Sequence, residues 1–324
     1  MAHYFVTGGF GFLGQYIVQA LLETDPHTQV TVLGRTARRT FLEVEKSPRV
    51  RWVQSDLSQP QAYRQALQQA DAVIHAAALI SFRKADAQAI YQANVLGTRA
   101  LTEAALQTGV RNFIFISSIS AVGRALQGMS DETHFPDEDY KRTHDMYGYS
   151  KLISERELRD LRGKLRVITL NPSVIIGPGS ERLNTVLRQT RYLPLLPVPV
   201  YVNSFVDVRD VAQAVLLALH QGRSGERYIV TSENVDMLSF TRQVVQAAGR
   251  RARVVPLPRA WFLPLDGVLT VLDTLHLNPG IRRISEMSVD KRYSTRKIQA
   301  EMGWQPRISL AQSLADTVQF TGIF

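Results

Sequence analysis

The stretch Thr7-Gly8-Gly9-Phe10-Gly11-Phe12-Leu13-Gly14, directly after the apolar run Tyr4-Phe5-Val6, decides the fold of this chain. It predicts a strand, a tight turn and then a helix from about Leu13 to Thr24. A turn of this kind leaves the backbone bare enough for a pyrophosphate to approach, and the N–H groups of the helix N-terminus point at the phosphates. An ordinary turn is the alternative, but the position between a strand and a helix favours nucleotide binding.

Further apolar runs predict more strands, and helical patterns separate most of them. These strands are Val30–Leu33, Val50–Gln54, Ala72–Ala76, Asn112–Ser117, Arg166–Leu170 and Arg227–Val230. Such alternation implies right-handed crossovers and a parallel sheet. We therefore predict an α/β fold: a doubly wound parallel sheet with a smaller, interwoven C-terminal substrate lobe.

The pattern also predicts the domain organisation. Residues 1–170 form the nucleotide-binding domain, to whose sheet residues 204–231 return, and residues 171–203 and 232–324 form the substrate lobe. The segment 171–203 is rich in proline and glycine, so loops and short elements are expected there.

The composition narrows the function. The chain has 324 residues, of which 45% are apolar, and it has no cysteine. Disulfides, thiolate catalysis and cysteine-based metal sites are therefore excluded, and no metal site is predicted. No signal peptide is visible at the N-terminus, so the expected location is the cytoplasm.

The net charge of +9 comes from dispersed basic pairs without interleaved aromatic residues. No nucleic-acid binding is expected, because a solvated basic surface that attracts anionic cofactors explains the charge. The apolar segment from Trp261 to Leu277 is too short and too polar to span a bilayer. It is predicted to be a packed helix or a lid, with contact to a membrane surface as the less favoured alternative.

The end of the second predicted strand indicates the cofactor. A site specific for NAD would carry an acid there for the ribose 2′-hydroxyl, but this chain has Gly34 followed by Arg35. Arg35 can instead bind a 2′-phosphate with two hydrogen bonds, and Arg38 or Arg39 can add a second cation. A surface arginine cluster is the alternative, but the residues favour NADP.

The run Tyr147-Gly148-Tyr149-Ser150-Lys151 indicates an acid–base pair. On a helix, Tyr147 and Lys151 share one face. An adjacent ammonium is expected to lower the pKa of the phenol, so that tyrosine can exchange a proton with a carbonyl substrate. The pair follows Ser117-Ser118 by about one strand and helix, and that run ends a strand where ligands bind in open α/β sheets.

Together these motifs resemble the extended short-chain dehydrogenases/reductases of the NAD-dependent epimerase/dehydratase superfamily, in the group with dihydroflavonol reductase-like and hydroxysteroid dehydrogenase-like proteins. The similarity covers almost the whole chain and implies a Rossmann-type fold. The motifs are Thr7–Gly14, Asp56-Leu57, Val73–Ala78, Asn94–Thr98, Ser117–Gly123, Tyr147–Lys151, Asn171–Pro178, Val206–Ala212 and Met302–Pro306.

The resemblance implies roles for these residues. Ser118 would polarise a carbonyl, Tyr147 would protonate it, and Lys151 would tune Tyr147 and hold the nicotinamide ribose. Besides Arg35 and Arg38, the predicted cofactor-binding residues are Gly8, Gly11, Phe12, Leu13, Gly14, Asp56, Leu57, Ala76, Ala77, Ala78, Asn94, Lys151, Pro172 and Ser173. The predicted substrate contacts are Ser120, Phe82 and Leu183. His75 is expected to be a packed residue and not a base.

Two departures from the family pattern concern the substrate. Val174 stands where the sugar-nucleotide enzymes carry a diphosphate-reading asparagine, and Ile119 follows Ser118 where the dehydratases carry an acid pair. Both argue against sugar-nucleotide chemistry. The candidate pocket residues are mostly apolar, which favours a hydrophobic carbonyl substrate: Leu79, Ile80, Phe82, Leu183, Val186, Leu187 and Tyr192.

The sequence thus predicts an NADP(H)-dependent oxidoreductase that interconverts a ketone or aldehyde with its alcohol. Two alternatives stay open: a nucleotide-sugar epimerase with tightly bound NAD, and a non-catalytic NADP-binding sensor. The helices around Asp86–Thr108 and Tyr147–Leu161 resemble those through which family members pair, so a homodimer is expected.

Overall fold

The structure is a computed structural model that describes residues 2–36, 40–125, 127–136, 145–192, 194–274 and 288–321. Its strands are β1 (His3–Thr7), β2 (Gln29–Gly34), β3 (Val50–Gln54), β4 (Ala72–His75), β5 (Asn112–Ile116), β6 (Arg166–Pro172), β7 (Val174–Ile176), β8 (Leu195–Pro199), β9 (Val202–Asp207), β10 (Arg227–Val230), β11 (Glu233–Asp236) and β12 (Arg253–Leu257).

The helices begin with α1 (Phe12–Thr24), α2 (Arg64–Gln68), α3 (Ala87–Ile90) and, after a π-helical turn at Tyr91–Leu96, α4 (Gly97–Gln107). They continue with α5 (Met146–Arg159), α6 (Glu181–Tyr192), α7 (Val208–Gln221), α8 (Met237–Ala247), α9 (Phe262–Thr274), α10 (Arg296–Met302) and α11 (Leu310–Thr321).

Seven parallel strands form the central sheet in the order β10-β6-β5-β4-β1-β2-β3. The predicted doubly wound parallel sheet is therefore confirmed. The strand order reverses between β1 and β4, which are neighbours although two strands separate them in sequence. This reversal opens a crevice at the carboxyl ends of β1 and β4, where open α/β sheets bind ligands.

Apolar layers cover both faces of the sheet. Alternating residues explain this: Val6 of β1 faces a core built with α1, α7 and α10, whereas Phe5 faces a core built with α2, α4 and α5. Both side chains are fully buried. Because both faces are covered, the central strands are apolar throughout, as the sequence indicated.

The smaller lobe has its own core, where Phe205 of β9 stacks on Phe240 of α8 with ring centroids 4.2 Å apart. β9 pairs with β7 and β11 in a separate three-stranded sheet, so of the segment 204–231 only β10 joins the central sheet. The helix α6 lies where loops and short elements were expected. The reason is that Gly179 and Pro194 flank this stretch, while residues 181–192 contain neither glycine nor proline.

Within the late apolar segment, Phe262–Thr274 forms the helix α9, in agreement with the predicted helix. Residues 275–277 of the segment lie outside the described residues. Phe262 and Leu269 are buried on one side, whereas Leu263, Val268 and Val271 are exposed on the other. Among the described residues, no helix combines the length and the apolar character that crossing a bilayer demands.

Candidate active site

The turn between β1 and α1 fits a dinucleotide pyrophosphate. Gly8 has a φ of +70°, and a Cβ there would lie 2.8 Å from the backbone nitrogen of Ala77, across the crevice. A Cβ on Gly14 would overlap the carbonyl oxygen of Gly8. Gly11 begins α1 without a side-chain cap, and the first turn, with Phe12 and Leu13, holds no acid. The first N–H groups of the helix therefore lack a side-chain acceptor and suit a phosphate.

The far end of the crevice carries Arg35, which is exposed directly after β2. The Asp56 carboxylate after β3 accepts hydrogen bonds from the Ser58 backbone N–H at 3.0 Å and from its hydroxyl at 2.8 Å. These bonds lower the pKa of Asp56, and the charge of Arg35 lowers it further. Leu57 packs partly buried against the core. The predicted residue Arg38 lies outside the described residues.

Helix α5 places Tyr147 and Lys151 on one face, as the sequence predicts. The Asp145 side chain caps the helix by accepting a hydrogen bond of 2.8 Å from the Gly148 N–H. Tyr147 is 9% exposed and Lys151 is 2% exposed. The Ser118 side chain, which follows β5, lies close enough to the Tyr147 hydroxyl to lower the pKa of the phenol.

The Ser118 hydroxyl is itself oriented by its neighbours. Its oxygen accepts a hydrogen bond of 3.1 Å from the Ser120 backbone N–H. The carbonyl oxygen of Ser120 lies beside Gly148, where an added Cβ would approach it to 2.9 Å. The turn after β5 and the first turn of α5 therefore fit closely, and this contact brings Ser118 to Tyr147.

Burial controls the titration of the pair. It raises the pKa of Tyr147 to about 12, although Ser118 lowers it in part. Burial also lowers the pKa of Lys151 to about 7. The Lys151 ammonium donates to the Ile116 carbonyl oxygen at 2.7 Å and lies 4.7 Å from the centre of the Phe115 ring. The expected lowering of the Tyr147 pKa by Lys151 is therefore not seen: burial raises this pKa, Ser118 lowers it in part, and the charge of Asp145 raises it further.

Asn94 and His75 have structural contacts. The Asn94 side chain accepts from the Leu79 N–H at 2.7 Å and donates to the Ser150 hydroxyl at 3.0 Å, so it joins the loop after β4 to α5. The His75 ring hydrogen-bonds to Thr7 at 2.6 Å and to Thr98 at 2.8 Å. Burial lowers the pKa of His75 to about 3, which confirms that it is a packed, neutral residue.

Ala76, Ala77 and Ala78 follow β4 along the crevice, and the Ala77 N–H donates to the Thr7 hydroxyl at 3.2 Å. Pro172 ends β6, and Ser173 after it is 6% exposed. The Ser173 hydroxyl has no hydrogen-bond partner within the described part of the chain. A buried polar atom of this kind costs free energy until a ligand satisfies it, so Ser173 fits the predicted contact with a cofactor amide.

The predicted substrate contacts fall into two groups. The Phe82 ring meets the Tyr147 ring edge-on, with centroids 6.4 Å apart, and Ile80 nearby along the chain is 61% exposed. Leu183 and Leu187, in contrast, pack against Phe205 and α8 in the core of the smaller lobe. Leu183 is therefore a core residue and not a pocket wall, because α6 turns its apolar face inward. The Tyr192 side chain lies outside the described residues.

The sequence reasoning missed one buried polar group beside the pair. Glu155 lies one turn after Lys151 on α5 and is 3% exposed. It forms an ion pair of 3.2 Å with Arg227 of β10. The spacing of four residues from Lys151 was a usable signal, but the partner on a distant strand could not be read from the sequence.

Comparison with known proteins shows the family of this chain. Residues 4–231 match the model of the "NAD dependent epimerase/dehydratase family". A Synechocystis sp. protein provisionally named dihydroflavonol 4-reductase is 31% identical over 98% of this chain and 94% of its own. The sterol demethylase protein B of Methylococcus capsulatus is 31% identical over 97% and 96%.

A solved structure, that of gox2253, is 27% identical and superimposes with a TM-score of 0.84 over 99% of this chain and 98% of its own. The chain therefore belongs to the NAD dependent epimerase/dehydratase family, and the resemblance inferred from the motifs is confirmed. The glycine turn and the orphaned Ser173 hydroxyl are compatible with the nicotinamide cofactor that this membership indicates.

Proposed function

We propose that this chain is an NADP(H)-dependent oxidoreductase that interconverts a hydrophobic ketone or aldehyde with its alcohol, with Tyr147 as the general acid and base. The observation that carries the proposal is that Ser118 and Tyr147 come together, with Lys151 one turn away, at the strand ends beside the glycine turn. The reductase and demethylase names of the two relatives support an oxidoreductase.

The protein side chains supply the proton chemistry. A phenol with a pKa of about 12 is neutral at physiological pH and has a proton to donate. Ser118 and Tyr147 together would donate hydrogen bonds to one carbonyl oxygen and stabilise the negative charge that develops on it. A bound nicotinamide ring would supply or accept the hydride.

Arg35 supports the choice of NADP. The sequence has Gly34 and Arg35, and no acidic residue, at the end of β2. The positive charge of Arg35 lowers the pKa of the nearby Asp56. A 2′-phosphate beside Arg35 would meet a guanidinium that can bind it with two hydrogen bonds. NADP is therefore preferred to NAD in this proposal.

An assay distinguishes the proposal from its two rivals. A panel of aromatic, alicyclic and medium-chain carbonyl compounds is tested for consumption of NADPH. We expect several to be reduced. Copurified NAD with no reduction of any compound would favour the nucleotide-sugar epimerase, whereas NADPH binding with no turnover of any kind would favour the sensor.

We also propose a homodimer through α4 and α5. The two helices lie side by side on one face of the sheet, and Arg99 of α4 joins Glu157 of α5 by an exposed ion pair of 2.6 Å. A pair of adjacent helices can meet the same pair of a second copy about a two-fold axis. Light scattering at micromolar concentration should give the dimer mass, and a monomer mass would contradict the proposal.

A further inference from the structure

Glu155 joins four elements behind the candidate active site. It projects from α5, and its carboxylate accepts hydrogen bonds from three strands: from the Ser117 hydroxyl at the end of β5, from the Asn171 amide of β6 at 2.6 Å, and from the Arg227 guanidinium of β10 at 3.2 Å. All four side chains are buried. A carboxylate that is 3% exposed loses most of its hydration, and the three donors compensate for that loss. Glu155 and Arg227 also border a cavity on the side of Glu132 and Phe135.

The contacts favour the ionised form of Glu155. Burial is the larger effect and raises the pKa of the Glu155 carboxyl, while Arg227, Ser117 and Asn171 each lower it in part. Arg227 cannot turn away, because its guanidinium also donates to the carbonyl oxygens of Glu132 at 2.8 Å and His134 at 2.7 Å. An arginine stays charged in proteins, so Glu155 faces a fixed cation.

The same carboxylate is anchored next to the contact of Lys151: Lys151 donates to the carbonyl oxygen of Ile116, and the hydroxyl of the following residue, Ser117, donates to Glu155. Lys151 and Glu155 are four apart on one face of α5, where side chains are neighbours. The other titratable groups that approach Lys151 are neutral: burial keeps His75 uncharged and Tyr147 protonated. Glu155 is therefore the negative charge that opposes the effect of burial on Lys151, within the described part of the chain.

A second link runs to the turn that carries Ser118. The Asn171 amide that donates to Glu155 also donates to the Ser118 carbonyl oxygen at 3.0 Å. The residue before Ser118 is Ser117, whose hydroxyl donates directly to Glu155. The backbone on both sides of Ser118 is thus tied to the one carboxylate.

We propose that Glu155 is a positioning residue of this site, which holds the Ser117–Ser118 turn against α5 and places its carboxylate on the helix face that carries Lys151. The inference rests on the proposed function only in the roles given to Lys151 and Ser118. It makes Glu155, through Lys151, the residue that sets the pH range in which the site can hold its cofactor.

The first test is a titration of Lys151 in the ligand-free protein. Lysine labelled with ¹³C at Cε is followed by NMR, and the signal of Lys151 is assigned from its loss in Lys151→Met. In Glu155→Gln, which keeps the shape and removes the charge, we expect the midpoint to fall by about one pH unit or more. Glu157→Gln on the exposed side of the same helix is the matched control and should leave the midpoint unchanged.

The second test is NADPH binding as a function of pH. In the wild type the affinity should decline as Lys151 loses its proton, and in Glu155→Gln this decline should begin at lower pH. Lowering the pH should therefore restore most of the affinity of Glu155→Gln. Thermal unfolding curves of both variants check that the fold is intact.

The outcomes separate the possibilities. An unchanged Lys151 midpoint in Glu155→Gln, or a loss of affinity that is equal at every pH, would overturn the proposal and leave Glu155 a structural residue. If Glu155→Gln does not fold, the protonation state of Glu155 is measured instead, by NMR of wild-type protein whose glutamates are labelled with ¹³C at Cδ. A Glu155 that is protonated at neutral pH would refute the proposal. A shifted midpoint in a protein that reduces no carbonyl compound would sustain this inference and refute only the proposed function.

Discussion

At the scale of single residues, the proton chemistry depends on one buried phenol. Tyr147→Phe removes the hydroxyl beside Ser118 and keeps the ring that meets Phe82. Turnover should fall by at least about 100-fold, since a positioned proton donor contributes that much. NADPH affinity should change little, because Lys151 stays. Steady-state rates and a fluorescence titration of NADPH measure the two effects, and near-normal turnover would exclude Tyr147 as the acid.

Cofactor choice depends on an exposed residue. Arg35→Ala should weaken NADPH binding by about 1–3 kcal/mol and leave NADH binding nearly unchanged, because only the phosphorylated ribose needs the guanidinium. The matched control is Arg51→Ala, which removes an exposed arginine from the neighbouring strand β3. Fluorescence titrations with both cofactors give the affinities. Equal losses for NADH and NADPH would assign Arg35 to the protein surface.

The sequence predicted the positions of single residues correctly where a short local pattern determines the position. The spacing of Tyr147 and Lys151 gave their shared helix face, and the position of Ser118 after a strand brought it to them. The effect of burial on the pKa of Lys151 was missed, because it depends on Phe115 and on the carbonyl of Ile116, which only the folded sheet brings near.

At the scale of elements, the glycine turn is the part of the fold that tolerates change least. Gly14→Ala would push a Cβ into the Gly8 carbonyl, and the backbone there cannot retreat from a close contact with Ala77. We expect a loss of stability of about 1–3 kcal/mol, as for overpacked sites, and a loss of NADPH binding.

Thermal unfolding and fluorescence titration measure both effects of Gly14→Ala. Gly267→Ala is the control, since Gly267 lies in α9 with no atom within 4 Å of an added Cβ. That substitution should stabilise the helix slightly, because alanine is the better helix former. Unchanged NADPH affinity in Gly14→Ala would show that the turn has room to adjust.

Elements were predictable where apolar runs were short and turn residues bounded them. The strands β3 and β10 have the predicted bounds, because Val50–Gln54 and Arg227–Val230 lie between clear turn signals. Helix α6 was missed because the prolines and glycines around it dominated the reading of the segment. The position of β9 in a second sheet was not predicted. The local sequence of a strand does not show which distant strands it pairs with.

At the scale of the whole molecule, the chain forms a larger lobe around the central sheet and a smaller lobe with its own core. Leu183 and Leu187 stabilise the core of the smaller lobe, so the apolar residues proposed to meet a substrate beside Tyr147 come from the loop after β4 of the larger lobe, with Ile80 and Phe82. This loop begins at the crevice between β1 and β4. The proposed substrate contacts and the proposed cofactor contacts therefore lie on one continuous segment.

The last prediction concerns the substrate itself. Val174, at the start of β7, occupies the place of the diphosphate-reading asparagine, and the wall beside Tyr147 is aromatic. Apolar pockets gain free energy with buried area and discriminate between homologues by only about 1–3 kcal/mol per methylene. Within a series of aromatic and alicyclic ketones, kcat/KM should therefore rise with apolar size until the pocket is full, while UDP-glucose should not bind. UDP-glucose should not bind because apolar side chains offer the charged diphosphate no hydrogen-bonding or ionic partner. NADPH-consumption kinetics measure kcat/KM, and a calorimetric titration measures the binding of UDP-glucose. Micromolar binding of the sugar nucleotide would favour the epimerase.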